Sequence, residues 1–338
     1  MKKIITVIGA VVVLSTVIAL VALPLGASAA TAGSTGLTAA VVATSGQIIS
    51  GTIDATGYDL GIYIGPGVHN VMVIGATVSG ANDEGILVQD AWNIVIKNNT
   101  VSNNAGNATA GISENKPITL AGTTNCLVKN NTVEYNMDGG IALFDDGPNH
   151  PFAPGTVATA PIASTGNVIT GNLIEDNAFG CAIVVSAKNP GGGVSNNVVS
   201  WNTVEVTNPF LGGMPRVGGI VVAGGAFGPV QVMNNVILNN VVTGGLIPGI
   251  SVHAFGPGAT ISGTQLIGNV LSNNGAGELS GNTTGIEIGI VPGVITNTQI
   301  LSDTISNDAY GVWAWNATST HIAHLQTTAV TTPVFTGP

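Results

Sequence analysis

Apolar residues recur along this chain in short alternating runs that are separated by turns. Between residues 83 and 101 three such runs follow one another, and alternation with a period of two predicts β-strands. The unit returns at separations of 23 to 42 residues when it is aligned on the first inward residue of its first strand. Nine units carry Ile62, Ile86, Ile118, Ile141, Ile183, Ile220, Ile250, Ile286 and Val312 at that position. A repeat this short without helical segments predicts a β-solenoid.

A column of asparagines marks the turn between the second and third strands. It consists of Asn99, Asn131, Asn172, Asn202, Asn235, Asn269 and finally Asp303. Two positions later the chain carries an apolar residue each time, namely Val101, Val133, Ile174, Val204, Ile237, Leu271 and Ile305. Asparagine tolerates a left-handed backbone and can hydrogen-bond its counterpart about 4.8 Å away on the next coil. We therefore expect a ladder of amide hydrogen bonds along the solenoid.

The asparagine and aliphatic columns together resemble the right-handed parallel β-helix repeat proteins of the pectate-lyase-like superfamily. The resemblance covers residues 45–326 and implies an all-β fold. That fold would be a single-stranded right-handed parallel β-helix of about nine to ten coils with three short strands each. Residues 327–338 would form a C-terminal tail or cap. Such solenoids serve as lyases, hydrolases, epimerases, adhesins and accessory surface proteins, so the resemblance leaves the function open.

Composition and the N-terminal segment indicate export. Only 7% of the residues are charged and 4% are aromatic, while 48 of 338 are glycine. Residues 1–29 contain two lysines, an apolar run and a small-residue triplet, which are the parts of a secretory signal peptide, and residues 30–44 would be a flexible linker. The protein is expected to be secreted or on the cell surface, or periplasmic in a bacterium with two membranes. An uncleaved N-terminal anchor is the alternative and the only expected membrane contact.

The net charge restricts the classes of partner, and the cysteine positions bear on disulfide formation. The formal net charge of −10 opposes binding to nucleic acid and to anionic membrane surfaces. Cys126 and Cys181 fall at different places in the repeat, so two buried free thiols are expected rather than a disulfide. The expected partner is a polysaccharide or a cell-surface glycan.

The outward side chains of the first strands decide whether the solenoid has a binding face, because the resemblance implies a polysaccharide groove along these strands. Most of them are small and apolar, and the cations and bases that a polyuronate lyase needs are scarce. The candidate glycan-binding residues are Tyr63, Gln89, Phe144, His253, Trp313 and Trp315. The two tryptophans could instead shield the open end of the solenoid.

Longer loops interrupt the minimal repeat on one side of the predicted solenoid. They lie around residues 105–116, 147–165, 206–217, 243–249 and 275–284. Insertions that flank one face indicate either a binding side or tolerated surface loops.

Acidic residues in the early coils suggest a cation site. Asp59, Asp83, Asn115 and Asp138 each lie three residues before an inward isoleucine, so their oxygens would be spaced one coil apart. Calcium is the candidate cofactor, because it accepts such oxygen ligands and would relieve the repulsion between stacked carboxylates. The alternative is turn chemistry, in which each carboxylate accepts hydrogen bonds from nearby backbone amides.

Asp145, Asp146 and His150 are the candidate catalytic residues. Their segment partly resembles the Asp-Pro-His motif of mannuronan epimerases, which implies proton transfer by His150 with one of the two acids. Gly147 and Asn149 interrupt that motif, however, and a polar loop with an incidental histidine explains the segment as well. As a glycosidase pair, Asp90 and Asp145 would lie about 10 Å apart, just outside the inverting range.

Two functional hypotheses follow. The first is a non-catalytic secreted or cell-surface β-helix that binds glycans or has a structural role, as the weakly charged first-strand face indicates. The second is a polysaccharide lyase, epimerase or hydrolase that acts on an acidic or neutral glycan, as the acids of the early coils indicate.

Overall fold

The computed structural model describes residues 30–31, 37–104, 116–148, 158–207, 210–211, 214–215, 218–225, 228–290, 292–317 and 319–337. These residues form an all-β parallel solenoid, which confirms the predicted fold class. They include no helix that could cross a membrane. The predicted signal peptide lies outside the described residues, and it remains a prediction.

The first strands of successive coils form one twelve-stranded sheet, here called the first-strand sheet. Its strands are Ala30–Thr31, Thr38–Val42, Leu60–Ile64, Ile86–Gln89, Ile118–Ala121, Ile141–Phe144, Ile183–Ala187, Ile220–Gly224, Ile250–Ala254, Thr284–Ile290, Tyr310–Trp315 and Thr332–Gly337. All nine predicted inward residues stack in register, from Ile62 to Val312. Coils are numbered below from 1, at Leu60–Ile64, to 9, at Tyr310–Trp315.

Strand pairing continues past both ends of the predicted solenoid. Thr38–Val42, in the segment expected to be a linker, pairs in parallel with Leu60–Ile64. Thr332–Gly337, in the segment expected to be a tail or cap, pairs in parallel with Tyr310–Trp315. Both segments place an apolar residue in the inward column, Val41 opposite Ile62 and Val334 opposite Val312, which explains why they extend the sheet.

The second and third strands form an eighteen-stranded sheet that follows the other sides of the solenoid. Two long strands begin it, Ile48–Asp54 and Met72–Ser79. Its second strands are Val95–Lys97, Leu127–Lys129, Val168–Thr170, Val198–Ser200, Val236–Leu238, Gln265–Ile267, Gln299–Leu301 and His321–Ala323. Its third strands are Thr100–Ser102, Thr132–Glu134, Leu173–Glu175, Thr203–Glu205, Val241–Thr243, Val270–Ser272, Thr304–Ser306 and Gln326–Thr328.

Later coils carry a fourth short strand that the three-strand repeat does not anticipate. These strands form a five-stranded sheet of Ser164–Thr165, Gly193–Ser195, Gln231–Met233, Thr260–Ser262 and Val294–Thr296. A separate two-stranded hairpin joins Phe210–Leu211 and Met214–Pro215. Inward aliphatic residues from all sides fill one continuous core, as expected for stacked coils that bury a shared stripe.

The predicted amide ladder is present, with one member corrected. The buried ladder runs through Asn99, Asn131, Asn172, Asn202, Asn240 and Asn269 to Asp303. In each step Nδ2 donates to Oδ1 of the next coil, as at 2.9 Å from Asn131 to Asn172. The assignment of Asn235 to this ladder was wrong, because Asn235 ends a parallel ladder through Asn167 and Asn197 beside the fourth strands. The apolar residue that accompanies Asn240 is accordingly Val242 and not Ile237.

The left-handed backbone at this turn belongs to the residue before the ladder. Asn98 and Asn130 have φ angles of 56° and 53°, and Gly171 has 67° at the same position. The following ladder residue is therefore free to direct its amide along the solenoid axis. The first residue of each pair adopts the left-handed backbone and the second makes the ladder hydrogen bonds, which explains the frequent Asn-Asn pairs of the sequence.

Candidate functional site

The first-strand face of coils 1 to 5 is buried, whereas an exposed groove was expected there. Tyr63, Gln89 and Phe144, three of the candidate glycan-binding residues, are each at most 2% exposed. Outward apolar side chains form a second core cluster of Ala39, Leu60, Tyr63, Leu87, Ala121, Ala142, Phe144 and Val184. The small and apolar character of this face reflects packing rather than an open binding surface.

Four side chains at the end of these strands form what we call the acid cluster: Tyr63, Gln89, Asp90 and Asp146. The Tyr63 hydroxyl donates to Gln89 Oε1 at 3.0 Å, and Gln89 Nε2 donates to Asp146 Oδ2 at 2.8 Å. The Gly147 amide donates to Asp146 Oδ1 at 2.7 Å. The cluster therefore connects coils 1, 2 and 4 across the solenoid.

Gly122 makes this connection possible. It stands on coil 3 between the two acids, with a φ of 61°, and a Cβ there would collide with Asp90 Oδ1 and press on the Asp146 Cβ. Without that side chain, Asp90 and Asp146 approach each other although they lie two coils apart. The sequence argument considered Asp90 with Asp145, and the structure pairs it with Asp146 instead.

The electrostatics of the cluster disfavour a second negative charge. Burial, followed by the negative charge of Asp146 and a hydrogen bond with it, raises the pKa of Asp90 to about 7. Burial and the two acids together raise the pKa of Tyr63 to about 12. A carboxyl group that titrates near neutrality can donate a proton in catalysis, but Asp90 is only partly exposed and Asp146 is fully buried.

Asp145 is hydrogen-bonded to the neighbouring coil. Its carboxylate is fully buried, and it accepts hydrogen bonds from the backbone amides of Lys188 at 2.7 Å and Asn189 at 3.0 Å. The ammonium group of Lys188 lies 5.2 Å from the centre of the Phe144 ring, and burial lowers the pKa of Lys188 to about 8. Asp145 and Asp146 thus face different partners, while His150 lies outside the described residues and its catalytic role remains a prediction.

Two of the candidate calcium ligands, Asp59 and Asp138, bind other groups of the chain. Asp59 Oδ2 accepts hydrogen bonds from the Thr38 amide and hydroxyl, both at 2.8 Å. Asp138 forms an ion pair with Lys116 at 2.5 Å, and Asp83 is partly buried. Within the described ranges no three side chains of the metal-binding types come close enough to share an ion. Asn115 lies outside these ranges, and calcium binding remains a prediction.

A cavity of about 270 Å³ opens on coils 7 and 8, and we call it the His253 pocket. Its lining includes His253, Phe255, Glu278, Leu279, Gly289 and Pro292. His253 Nε2 lies 3.1 Å from Oε1 of the fully buried Glu287. The His253 and Phe255 rings meet edge to face, with centroids 5.1 Å apart. One of the predicted glycan-binding residues therefore lines an open cavity.

Glu287 also fixes the loop that forms one wall of this pocket. Its carboxylate accepts hydrogen bonds from the backbone amides of Leu279 at 3.3 Å and Ser280 at 3.0 Å. Burial opposes the ionisation of Glu287, but the His253 ring and the Ser280 amide outweigh it, so the pKa of this carboxyl lies below its ordinary value. Leu279 rests where a Cβ of Gly289 would otherwise lie. An ionised carboxylate thus anchors both the histidine and the loop.

A family model for the right-handed β-helix region matches residues 42–228, which is more than half of the chain. The chain belongs to the right-handed β-helix family. No curated protein matches this β-helix in sequence.

Solved structures resemble the β-helix at low sequence identity. The catalytic unit of a thermostable GH87 α-1,3-glucanase from Streptomyces thermodiastaticus superposes with a TM-score of 0.51 and 16% identity, over 86% of this chain and 50% of that chain. The β-helix thus spans half the length of the glucanase unit. PfbA, a surface adhesin of Streptococcus pneumoniae, gives 0.47 and 10% identity over 87% of this chain and 84% of that chain. At these identities the similarity shows the fold alone.

The tryptophans near the end of the β-helix pack in an aromatic stack. The Trp313 and Trp315 rings are stacked with centroids 5.6 Å apart, and Phe335 of the following strand stacks on Trp313 at 5.6 Å. Trp313 is only 7% exposed. This packing supports the interpretation that the tryptophans cover the end of the first-strand face, and their role in glycan binding remains a prediction.

Sequence reasoning missed two residues that organise these sites. Glu287 stands in an outward column, in register with Ser251 and diagonal to His253 on the neighbouring coil. Gly122 stands in register between Asp90 and Asp145, because Gln89, Ala121 and Phe144 align on successive coils. Following polar residues diagonally across the columns would have found the His253–Glu287 pair.

Proposed function

We propose that this protein is a secreted or cell-surface β-helix that binds a glycan without chemically changing it. The observation that carries this proposal is the burial of Asp145 and Asp146, the two acids best placed for catalysis. Asp145 accepts hydrogen bonds from two backbone amides of coil 5. Asp146 accepts hydrogen bonds from the Gln89 side chain and the Gly147 amide. A general acid or base must reach the proton that it transfers, which these buried side chains cannot do without rearrangement.

The His253 pocket supports the glycan part of the proposal. Its exposed Phe255 and its apolar Leu279 and Pro292 suit the C–H face of a sugar ring, while His253 and Glu278 suit sugar hydroxyls. A pocket with apolar walls and few polar groups is the usual form of a small-ligand site. The formal net charge of −10 fits an uncharged partner better than nucleic acid.

Incubation with a panel of neutral glycans and polyuronates, with and without calcium, tests this function. We expect at least one glycan to be retained in pull-down or calorimetry, without unsaturated ends, new reducing ends or epimerised residues. Catalytic turnover that disappears in Asp145→Ala or Asp146→Asn, but persists in the surface control Glu205→Gln, would overturn the proposal. The absence of binding to every glycan in the panel would overturn it as well.

The acid cluster favours a second candidate function, polysaccharide hydrolysis or lyase chemistry. Its specific basis is Asp90, which has a pKa of about 7 and lies beside Asp146. In this alternative Asp90 would donate a proton to a leaving group. The same panel assayed with Asp90→Asn decides it, because loss of product formation with intact folding would assign Asp90 as the proton donor.

A further inference from the structure

We propose that the His253 pocket binds a single uncharged pyranose residue of the glycan. This inference rests on the proposed function and specifies its site and ligand class. The pocket volume of about 270 Å³ lies just below the usual range of roughly 300 to 1,000 Å³ for drug-sized ligands. The cavity has room for one sugar ring, and any further residues of a glycan would lie outside it.

The apolar wall accounts for ring recognition. Phe255 is 42% exposed beside the cavity, and Leu279 and Pro292 contribute further apolar surface. The axial C–H groups of a pyranose can pack against such a surface, while its hydroxyls remain at the edge. A small anion such as phosphate, which has no C–H groups, would gain nothing from this wall.

The polar groups set the charge of the ligand. Glu287 is ionised behind His253, and Glu278 is an exposed carboxylate in the pocket lining. The exposed Glu278 carboxylate in the lining repels a uronate, which carries a carboxylate of its own. Sugar hydroxyls, which both donate and accept hydrogen bonds, match a histidine ring and a carboxylate without this repulsion.

The wall of the pocket is formed before the ligand arrives. The Glu287 carboxylate holds the amides of Leu279 and Ser280, and the Gly277 amide donates to the Asn282 carbonyl oxygen at 2.9 Å within the same loop. Ala276 and Thr283 pair as an antiparallel bridge at the base of this loop. Because the loop is ordered in the folded chain, binding does not have to supply the free energy of ordering it.

Ligand-observed NMR and calorimetry on the full chain test the inference, with methyl glucoside, methyl galactoside, methyl mannoside, glucuronate and glucosamine as probes. We expect at least one neutral methyl glycoside to bind, and glucuronate to bind at least about tenfold more weakly. Phe255→Ala should weaken the neutral sugar at least about tenfold, and Leu279→Ala should weaken it as well. Phe179→Ala is the matched control, because Phe179 is similarly exposed at 37% but lies on another coil.

The outcomes separate this inference from the proposed function when the glycan panel is repeated with the same variants. If a polysaccharide binds but Phe255→Ala and Leu279→Ala bind it as well as the unchanged chain does, the pocket is not the site and the proposed function survives. If glucuronate binds as tightly as the neutral glycosides, the ligand class is wrong. If neither monosaccharide nor polysaccharide binds, both the inference and the proposed function are overturned.

Discussion

The acid cluster and the His253 pocket both place a buried carboxylate on the outward side of the first-strand sheet, but they use it differently. In the acid cluster, Asp146 is fully buried beside Gln89, Asp90 and the Gly147 amide. In the pocket, Glu287 holds a loop that stands beside the coil, and a cavity remains between them.

The difference shows that the role of a buried carboxylate depends on the groups to which it is hydrogen-bonded. Asp145 and Asp146 bind groups within the coils themselves, so they stabilise the solenoid. Glu287 binds the backbone of a loop whose own bridge between Ala276 and Thr283 keeps it folded, so it shapes a surface feature. Buried acids therefore stabilise the coils in one region and hold the wall of a cavity in the other.

The largest expected effect is the loss of stability in Asp145→Ala. The substitution leaves the amides of Lys188 and Asn189 buried without their acceptor, and hydrogen bonds to a charged group contribute about 1.5 to 3 kcal/mol each. We expect the free energy of unfolding to fall by about 3 kcal/mol, measured by urea denaturation followed by circular dichroism.

Glu205→Ala serves as the control for that measurement, because Glu205 lies partly exposed on the third-strand side. We expect a change within about 0.5 kcal/mol for a surface position of this kind. An Asp145→Ala midpoint equal to that of the unchanged chain would show that the carboxylate does not hold coil 5, and the contrast between the two regions would lose its basis.

The fold could be predicted because each coil repeats its inward residues. Ile62 to Val312 could be aligned from the sequence alone, since one misplaced residue would turn an entire strand outward. The prediction of the ladder was wrong at one coil. There the pairs Asn234-Asn235 and Asn239-Asn240 flank the strand Val236–Leu238, and both pairs satisfy the same turn pattern. The sequence did not indicate the fourth strand Gln231–Met233, which precedes the first of these pairs and gives rise to the additional ladder.

The sites could be predicted only in part, because openness depends on where loops lie rather than on the columns. His253 was found as a polar exception in an outward column, but its contact with Glu287 runs diagonally between coils. Gln89 and Phe144 share the outward column of His253, and Tyr63 lies in the neighbouring outward column. All four side chains are buried, but a cavity lies beside His253. Alternation assigns a side chain to one face of a sheet, and it does not say whether another part of the chain covers that face.

The second prediction concerns the pH dependence of the acid cluster. Because the pKa of Asp90 rises from 3.8 to about 7 on folding, its stabilising contribution is complete below pH 4 and is lost as the pH rises through 7. Asp90→Asn keeps the neutral form at every pH. We expect the variant to match the unchanged chain near pH 4 and to be more stable at pH 8, by roughly 1 kcal/mol after solvent screening of this partly exposed group.

Urea denaturation at pH 4, 6 and 8 measures this difference. Burial also raises the pKa of Asp303, to about 6, and the pKa of Glu84. The contributions of these two groups to stability also fall as the pH rises. Both groups are present in the variant, so their contributions cancel in the comparison. If the variant differs from the unchanged chain by the same free energy at all three pH values, then folding does not raise the pKa of Asp90.

The smallest effect on stability is expected for Glu287→Gln, which tests whether the pocket loop is a local feature. The amide side chain keeps one oxygen acceptor but loses the negative charge shared by the Leu279 amide, the Ser280 amide and His253. We expect the free energy of unfolding to change by less than about 1 kcal/mol, while hydrogen exchange at Leu279 and Ser280 becomes about tenfold faster.

Glu278→Gln is the matched control for this local effect, because Glu278 is exposed on the same loop and the substitution removes the same charge. Its amide exchange at Leu279 and Ser280 should remain as in the unchanged chain. If Glu287→Gln instead destabilises the whole solenoid as much as Asp145→Ala does, then Glu287 stabilises the coils in the same way as the acids of the early coils. The pocket would then be part of the core architecture, and its loop could not be treated as a separate wall.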